Sequence, residues 1–329
     1  MNVGYLCTYT PKELIDAAGF TPVRIFAGDT QISLATAHIQ SYACSQARGS
    51  LERALRGELD IQAVVFTRCC DTLMRLADIW ERNTEMKVYN LEFPTRVDEK
   101  SKDFYFRELK DFVEVLRDWG GEITLESLRE SFSLYHDLEE KLKMLFSIKP
   151  DYNVAKKVQE MNVRDAIKLV DDRLGEVEGE DEKPKILITG SVCPFVEVYR
   201  LFEDAGFALK DDICTGTRFF TFNTPPRDIN SIDEGLRFLV EKYFNKAPCP
   251  TKHFPDDDRF NYILEKAKDC DGVVFLLLKF CEPHFYDYPQ LKEKLEEMGK
   301  KVLLIELEFP IASYEQLRTR IEAFYEVIA

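Results

Sequence analysis

The chain has 329 residues, of which 45% are apolar and 12% aromatic, enough to bury proper cores in roughly two domains of ordinary size. Acidic residues outnumber basic ones by 59 to 44, a formal charge of -15. That balance opposes the counterion release on which nucleic-acid and anionic-membrane binding depend, so proteins and small molecules are the expected partners. Residues 1–6 lack a charged stretch leading into a sustained apolar run, and no later stretch approaches about 18 apolar residues. The expectation is a cytoplasmic chain that is neither exported nor membrane-spanning. Its nine cysteines are then thiols, available for metal binding, redox work or plain burial.

In chain order, a short apolar run leads to Cys7, a helical stretch leads to the AGF tripeptide at 18–20, and Val64, Val65 and Phe66 lead to Cys69 and Cys70. A further strand ends in LEFP at 91–94. From about residue 102 to 174 the pattern is helical, with Leu109, Phe112, Val113 and Leu116 forming one stripe. Residues 175–183 (GEVEGEDEK) are acidic and nearly devoid of apolar side chains, which makes them a solvated linker. The first half's features then recur in the same order: GSVC at 190–193, AGF at 205–207, Val273, Val274 and Phe275 running to Cys281, and LEFP at 307–310. Four ordered matches predict a duplicated unit.

Within each unit, apolar runs alternate with helical patterns, the signature of a parallel sheet built from βαβ units. The expected fold class is α/β, with two similar parallel-sheet domains, 1–98 and 184–329, joined by a helical segment and acidic linker, 99–183. In such sheets ligands gather at the carboxyl ends of the strands. Cys7, Cys70, Cys193 and Cys281 each lie just past a strand-like run. They are therefore expected at the ligand edges, where two facing domains can enclose a site.

The cysteines follow neither a CxxC pattern nor a ferredoxin run, so any ligands converge from distant loops. Zinc remains open on cysteine count alone, and Cys281, near Glu282 and His284, leaves nucleophilic catalysis open. No dinucleotide or P-loop glycine motif occurs.

Several segments together resemble the 2-hydroxyacyl-CoA dehydratase and benzoyl-CoA reductase family: residues 4–19, YACSQAR at 42–48, CDT at 70–72, GSVC at 190–193, DDICTGTR at 211–218, and the stretch from KFC at 279–281 to DYP at 287–289. The likeness spans almost the whole chain in consistent order. It implies two flavodoxin-like domains carrying an oxygen-sensitive 4Fe-4S cluster on three cysteines, which match Cys44, Cys70 and Cys281 here. It further implies an ATP-hydrolysing iron-sulfur activator that supplies a low-potential electron, a ketyl-radical step on an acyl-CoA thioester, and a homologous second subunit or a second copy as partner. A related branch holds a double-cubane 8Fe-9S cluster on six cysteines and reduces small molecules; Cys7, Cys193 and Cys214 would complete that number. A third reading is a non-catalytic electron relay or scaffold.

Arg218, Thr215 and Gly216 are candidates for holding the substrate, with Arg218 alternatively pairing with Asp211 or Asp212. Glu282 and His284 follow a candidate ligand closely enough to exchange protons with a bound substrate. Cys69, Cys249 and Cys270 receive no role.

Overall fold

The computed structural model describes residues 1–179, 183–252 and 258–328; residues 180–182, in the middle of the expected acidic linker, lie outside them. The first half runs β1 (Asn2–Tyr5), α1 (Lys12–Ala17), β2 (Thr21–Arg24), α2 (Ser45–Leu55), β3 (Ala63–Arg68), α3 (Asp71–Asn83) and β4 (Lys87–Glu92). Its four strands are all parallel, in the order β2-β1-β3-β4. Four helices follow: α4 (Glu99–Asp118), α5 (Leu125–Ile148), α6 (Tyr152–Lys157) and α7 (Val163–Leu174). The second half comprises β5 (Lys185–Gly190), α8 (Val196–Asp204), β6 (Ala208–Asp212), α9 (Thr217–Phe220), α10 (Ile232–Phe244), α11 (Asp258–Ala267), β7 (Gly272–Leu278), α12 (Glu282–Glu297), β8 (Lys301–Leu307) and α13 (Tyr314–Ile328). Its sheet repeats the first, β6-β5-β7-β8, again all parallel. The predicted α/β class and duplicated sheet are thus present in the fold.

The inner strands β3 and β7 are sandwiched between helices, which explains their unbroken apolar sequences. In β3, Val64 and Phe66 pack with Leu51, Leu76 and Trp80 of α2 and α3. Ala63 and Val65 face the other way, onto α1, α4 and α10. In β7, Val274 and Leu276 pack with α8 and α13, while Val273, Phe275 and Leu277 meet α11 and α12. The predicted α4 stripe of Leu109, Phe112, Val113 and Leu116 is buried. The long helices start on side-chain caps: Asp98 accepts from the Ser101 N–H at 2.8 Å, and Thr124 with Ser127 forms a capping box on α5.

The halves are tied together through buried charge. Lys242 of α10 lies 2.8 Å from Glu13 of α1 and 2.8 Å from Glu139 of α5. Lys12 stands 3.4 Å from Glu139, and the Tyr243 hydroxyl donates to Glu13 at 2.8 Å. All five side chains are buried, where a charge is tolerated only when paired. Burial alone would raise the Glu13 carboxyl, but Lys12 and Lys242 outweigh it and hold the group at about 2. Near the strand ends, Arg24 donates to the Cys214 carbonyl at 2.6 Å, Arg48 to Glu308 at 2.7 Å and Lys252 to the Phe93 carbonyl at 3.2 Å.

Because the folded Glu13 carboxyl sits below its ordinary unfolded value near 4.3, the stability it contributes is present above that pH and is lost as pH falls towards about 2. Glu13→Gln removes that part of the acid sensitivity and costs about 3 kcal/mol at neutral pH, because Lys242 loses a buried counter-charge. Urea unfolding of both proteins at neutral and acid pH measures this; equal stability at neutral pH contradicts it.

Candidate functional site

The carboxyl edges of the two sheets enclose a cavity of about 430 Å³. In each sheet the chain leaves β1 and β5 towards one neighbour and reaches β3 and β7 on the other side; that reversal is where open parallel sheets bind ligands. Seven of the nine cysteines line the cavity: Cys7, Cys44, Cys69, Cys70, Cys214, Cys249 and Cys281. Gln46, Thr72, Ser191, Phe280, Glu282, His284, Tyr286 and Asp287 are among its other walls.

Cys44, Cys70 and Cys281 share a local geometry that strand ends alone do not foretell. They are the N-cap residues of α2, α3 and α12, helices of 11, 13 and 16 residues. A helix N-terminus presents unpaired N–H groups and the positive end of its dipole, which favours thiolate. The three are also close enough to interact: burial first, then Cys44, push the Cys281 thiol far up, and Cys70 and Cys214 act in the same direction. Burial raises Cys44 to about 11, with Cys70 adding to the effect. The residue before Cys281, Phe280, is 46% exposed and has a φ of 65°, a conformation uncommon for a side chain of this size.

On the first sheet, Cys69 sits between Cys7 and Cys70 and hydrogen-bonds to both. Its thiol stabilises the Cys7 thiolate, which together with the Tyr9 N–H brings Cys7 down to about 6 against the opposing effect of burial. Across the cavity, the Cys249 sulfur lies 3.8 Å from an Arg218 guanidinium nitrogen and 3.3 Å from the Thr251 hydroxyl.

The remaining candidates are placed differently. Cys193 is 1% exposed and lies outside the lining, its thiol 3.9 Å from the Phe195 carbonyl and pushed up by burial to about 12. Arg218 points inward: it donates to the Gly190 carbonyl and stands 3.6 Å from Asp212, which Arg259 holds at 2.7 Å. Thr215 is buried against Tyr199, 3.2 Å between hydroxyls, and a Cβ at Gly216 would strike the Asp211 carboxylate. None of these three lines the cavity. Glu282 is exposed at the mouth. His284 is buried, and burial followed by the charges of Arg218 and Arg259 drives its imidazole well below the ordinary value, leaving it neutral. Asp287, absent from the expectations, also lines the cavity; burial raises its carboxyl although Arg259 stands 3.7 Å away.

Among the described residues, no three His, Cys, Asp or Glu side chains are spaced to grip a single metal ion. An iron-sulfur cubane makes a different demand, since it takes soft thiolates on separate irons and occupies the volume between them. Unpaired thiols around a cavity, several at helix N-termini, fit that demand.

The 2-hydroxyglutaryl-CoA dehydratase, D-component family model matches residues 7–328. The (R)-phenyllactyl-CoA dehydratase beta subunit of Clostridium sporogenes is 31% identical, covering 99% of this chain and 91% of its own length. The lactoyl-CoA dehydratase subunit beta of Anaerotignum propionicum is 25% identical over the same shares. A benzoyl-CoA reductase subunit of Thauera aromatica is 24% identical over 90% of this chain and 82% of its own. With a thiol-lined cavity between duplicated sheets and a family match running almost end to end, the chain belongs to the 2-hydroxyglutaryl-CoA dehydratase D-component family.

Proposed function

We propose that this chain is an iron-sulfur subunit of an acyl-CoA dehydratase or reductase that works by radical chemistry. The observation that carries this is the convergence of Cys44, Cys70 and Cys281, each capping a helix, on one cavity at facing sheet edges. These three would hold a 4Fe-4S cluster, which when bound supplies one-electron transfer at low potential. The helix N-termini stabilise the negative charge of the thiolates, and the apolar shell made by Leu6, Leu73, Leu278 and Phe280 limits water. The acyl-CoA names of the relatives support a thioester substrate, and their subunit names support a homologous partner subunit or a second copy. An ATP-hydrolysing iron-sulfur activator would deliver the electron. His284, neutral and buried, offers a hydrogen bond rather than a proton near the cavity, and no helix of the described chain is long and apolar enough to cross a membrane.

A second reading draws on the number of thiols. Cys7 and Cys69 beside Cys70, and Cys214 and Cys249 beside Cys281, line the same cavity. Cys7, Cys44 and Cys70 from the first half with Cys214, Cys249 and Cys281 from the second, Cys249 standing where Cys193 was expected, would serve an 8Fe-9S double cubane.

Anaerobic purification with iron and sulfide analysis separates the two. About four irons per chain is the expected result, about eight favours the double cubane, and a protein without iron contradicts both. Cys281→Ala is expected to lose most of its iron; full iron content refutes that ligand.

Thiol reactivity tests the cavity without any cluster. In the iron-free protein, alkylation of Cys7 is expected to reach half its maximal rate near pH 6 because its thiol lies at about 6. Cys44, at about 11, and Cys193, at about 12, stay slow at neutral pH because thiolate is the reactive form. Mass spectrometry of timed alkylation reads the order, and Cys193 reacting ahead of Cys7 contradicts the geometry.

A further inference from the structure

Behind the thiol cavity the interior holds more cations than carboxylates. Lys12, Lys242, Lys246, Lys252 and Arg218 are all buried. Glu13 and Glu139 are taken by Lys12 and Lys242, and Asp212 is shared between Arg218 and Arg259. Lys246 and Lys252 are left over, neither having an ion pair among the described residues: Lys252 donates to the Phe93 carbonyl at 3.2 Å, and the Lys246 ammonium donates to the backbone oxygen of Arg218. Lys246 lies over the rings of Phe222 at 4.6 Å and Tyr9 at 5.9 Å. An aromatic face compensates a cation less fully than a carboxylate does.

The groups facing Lys246 come from several elements. Lys12 stands on α1, Arg218 on α9, and Lys242 and Lys252 share its Phe222 and Tyr9 rings. The thiols of Cys214 and Cys7 act on it from the strand-end loops. Burial, then the charge of Lys12, bring its amine down to about 7; Cys214 and Cys7 oppose that and Arg218 adds to it. The amine therefore stands near its balance point, with negative charge at the thiols favouring the protonated form.

We propose that Lys246 is the charge-compensating residue of the thiol cavity, taking up one solvent proton when one electron enters the cavity and releasing it when the electron leaves. The electron comes from a one-electron reductant such as the iron-sulfur activator; the proton comes from water and forms a bond to the Lys246 nitrogen lone pair, so each step adds no net charge to the interior. An uncompensated charge in a low-dielectric site is costly, and an amine that takes up a proton within its electrostatic reach offsets it. The inference rests on the reading that the thiols hold a one-electron centre. Lys246 is a positioning residue, not a catalytic one.

The test is a redox titration of the anaerobically loaded protein, followed by electron paramagnetic resonance from about pH 6 to about pH 9. The wild-type potential is expected to be flat at the acid end; above about pH 7 each tenfold fall in proton concentration lowers it by about 59 mV. Lys246→Met is expected to be flat throughout and below the wild type at the acid end. Lys246→Arg, permanently charged, is expected to be flat and close to the wild-type acid value. Should the variants fail to fold, proton uptake from weakly buffered solution on reducing the wild type gives the same answer: nearly one proton per electron at about pH 8 and few at about pH 6. A reducible centre whose potential ignores pH overturns the role of Lys246 alone. A protein with no reducible centre overturns the cluster reading and this inference with it.

Discussion

Parallel strands joined by right-handed crossovers deliver every strand end to one edge of a sheet, and the site depends on that constraint more than on any single residue. It makes Cys7, Cys69 and Cys70 neighbours although more than half of the first domain separates them, and the duplication supplies a second edge carrying Cys214, Cys249 and Cys281. The loops after the strands also begin helices. The same turns that bring the thiols together therefore aim helix N-termini at them, so the backbone contributes positive potential where negative charge is to be held.

Two facing edges stay facing only if the halves are held together, and here an apolar core shared by α1, α4 and α10 is reinforced by buried ion pairs. The Lys12, Glu13, Glu139 and Lys242 group joins α1, α5 and α10 in a dry interior, where each charge depends on its neighbours. The interior beside the cavity is thus locally cationic in a chain of formal charge -15. Net charge describes the solvated surface and the partners it repels; the few buried cations set the local electrostatics within.

Much of this was legible in the sequence because it is written in local patterns. Unbroken runs such as AVVF at 63–66 and GVVFLLL at 272–278 are strands buried on both faces, and their repetition with AGF and LEFP revealed the second sheet. Cys193 shows where such patterns stop. It mirrors Cys7 within its motif, but β1 ends two residues before Cys7 and β5 ends three before Cys193; the extra residue accompanies a thiol buried beneath the cavity, with Tyr199 donating to its carbonyl at 2.8 Å. Cys249 had no strand before it to mark it, and it reaches the cavity through a loop after α10 that is held by a bridge between Phe222 and Lys246 and by Arg259 donating to the Pro248 carbonyl at 2.9 Å. Arg218, read as either a ligand-holding side chain or a partner of Asp211 or Asp212, stands 3.6 Å from the buried Asp212 at the end of β6.

The central claim is that iron and sulfide occupy the space between the two sheet edges. An anaerobic crystal structure of the loaded protein, with anomalous differences collected on either side of the iron absorption edge, tests it directly. The account predicts iron density within bonding distance of Cys44, Cys70 and Cys281, at the N-termini of α2, α3 and α12. Iron bound elsewhere on the chain, or a cavity empty of metal in a catalytically competent preparation, would contradict it.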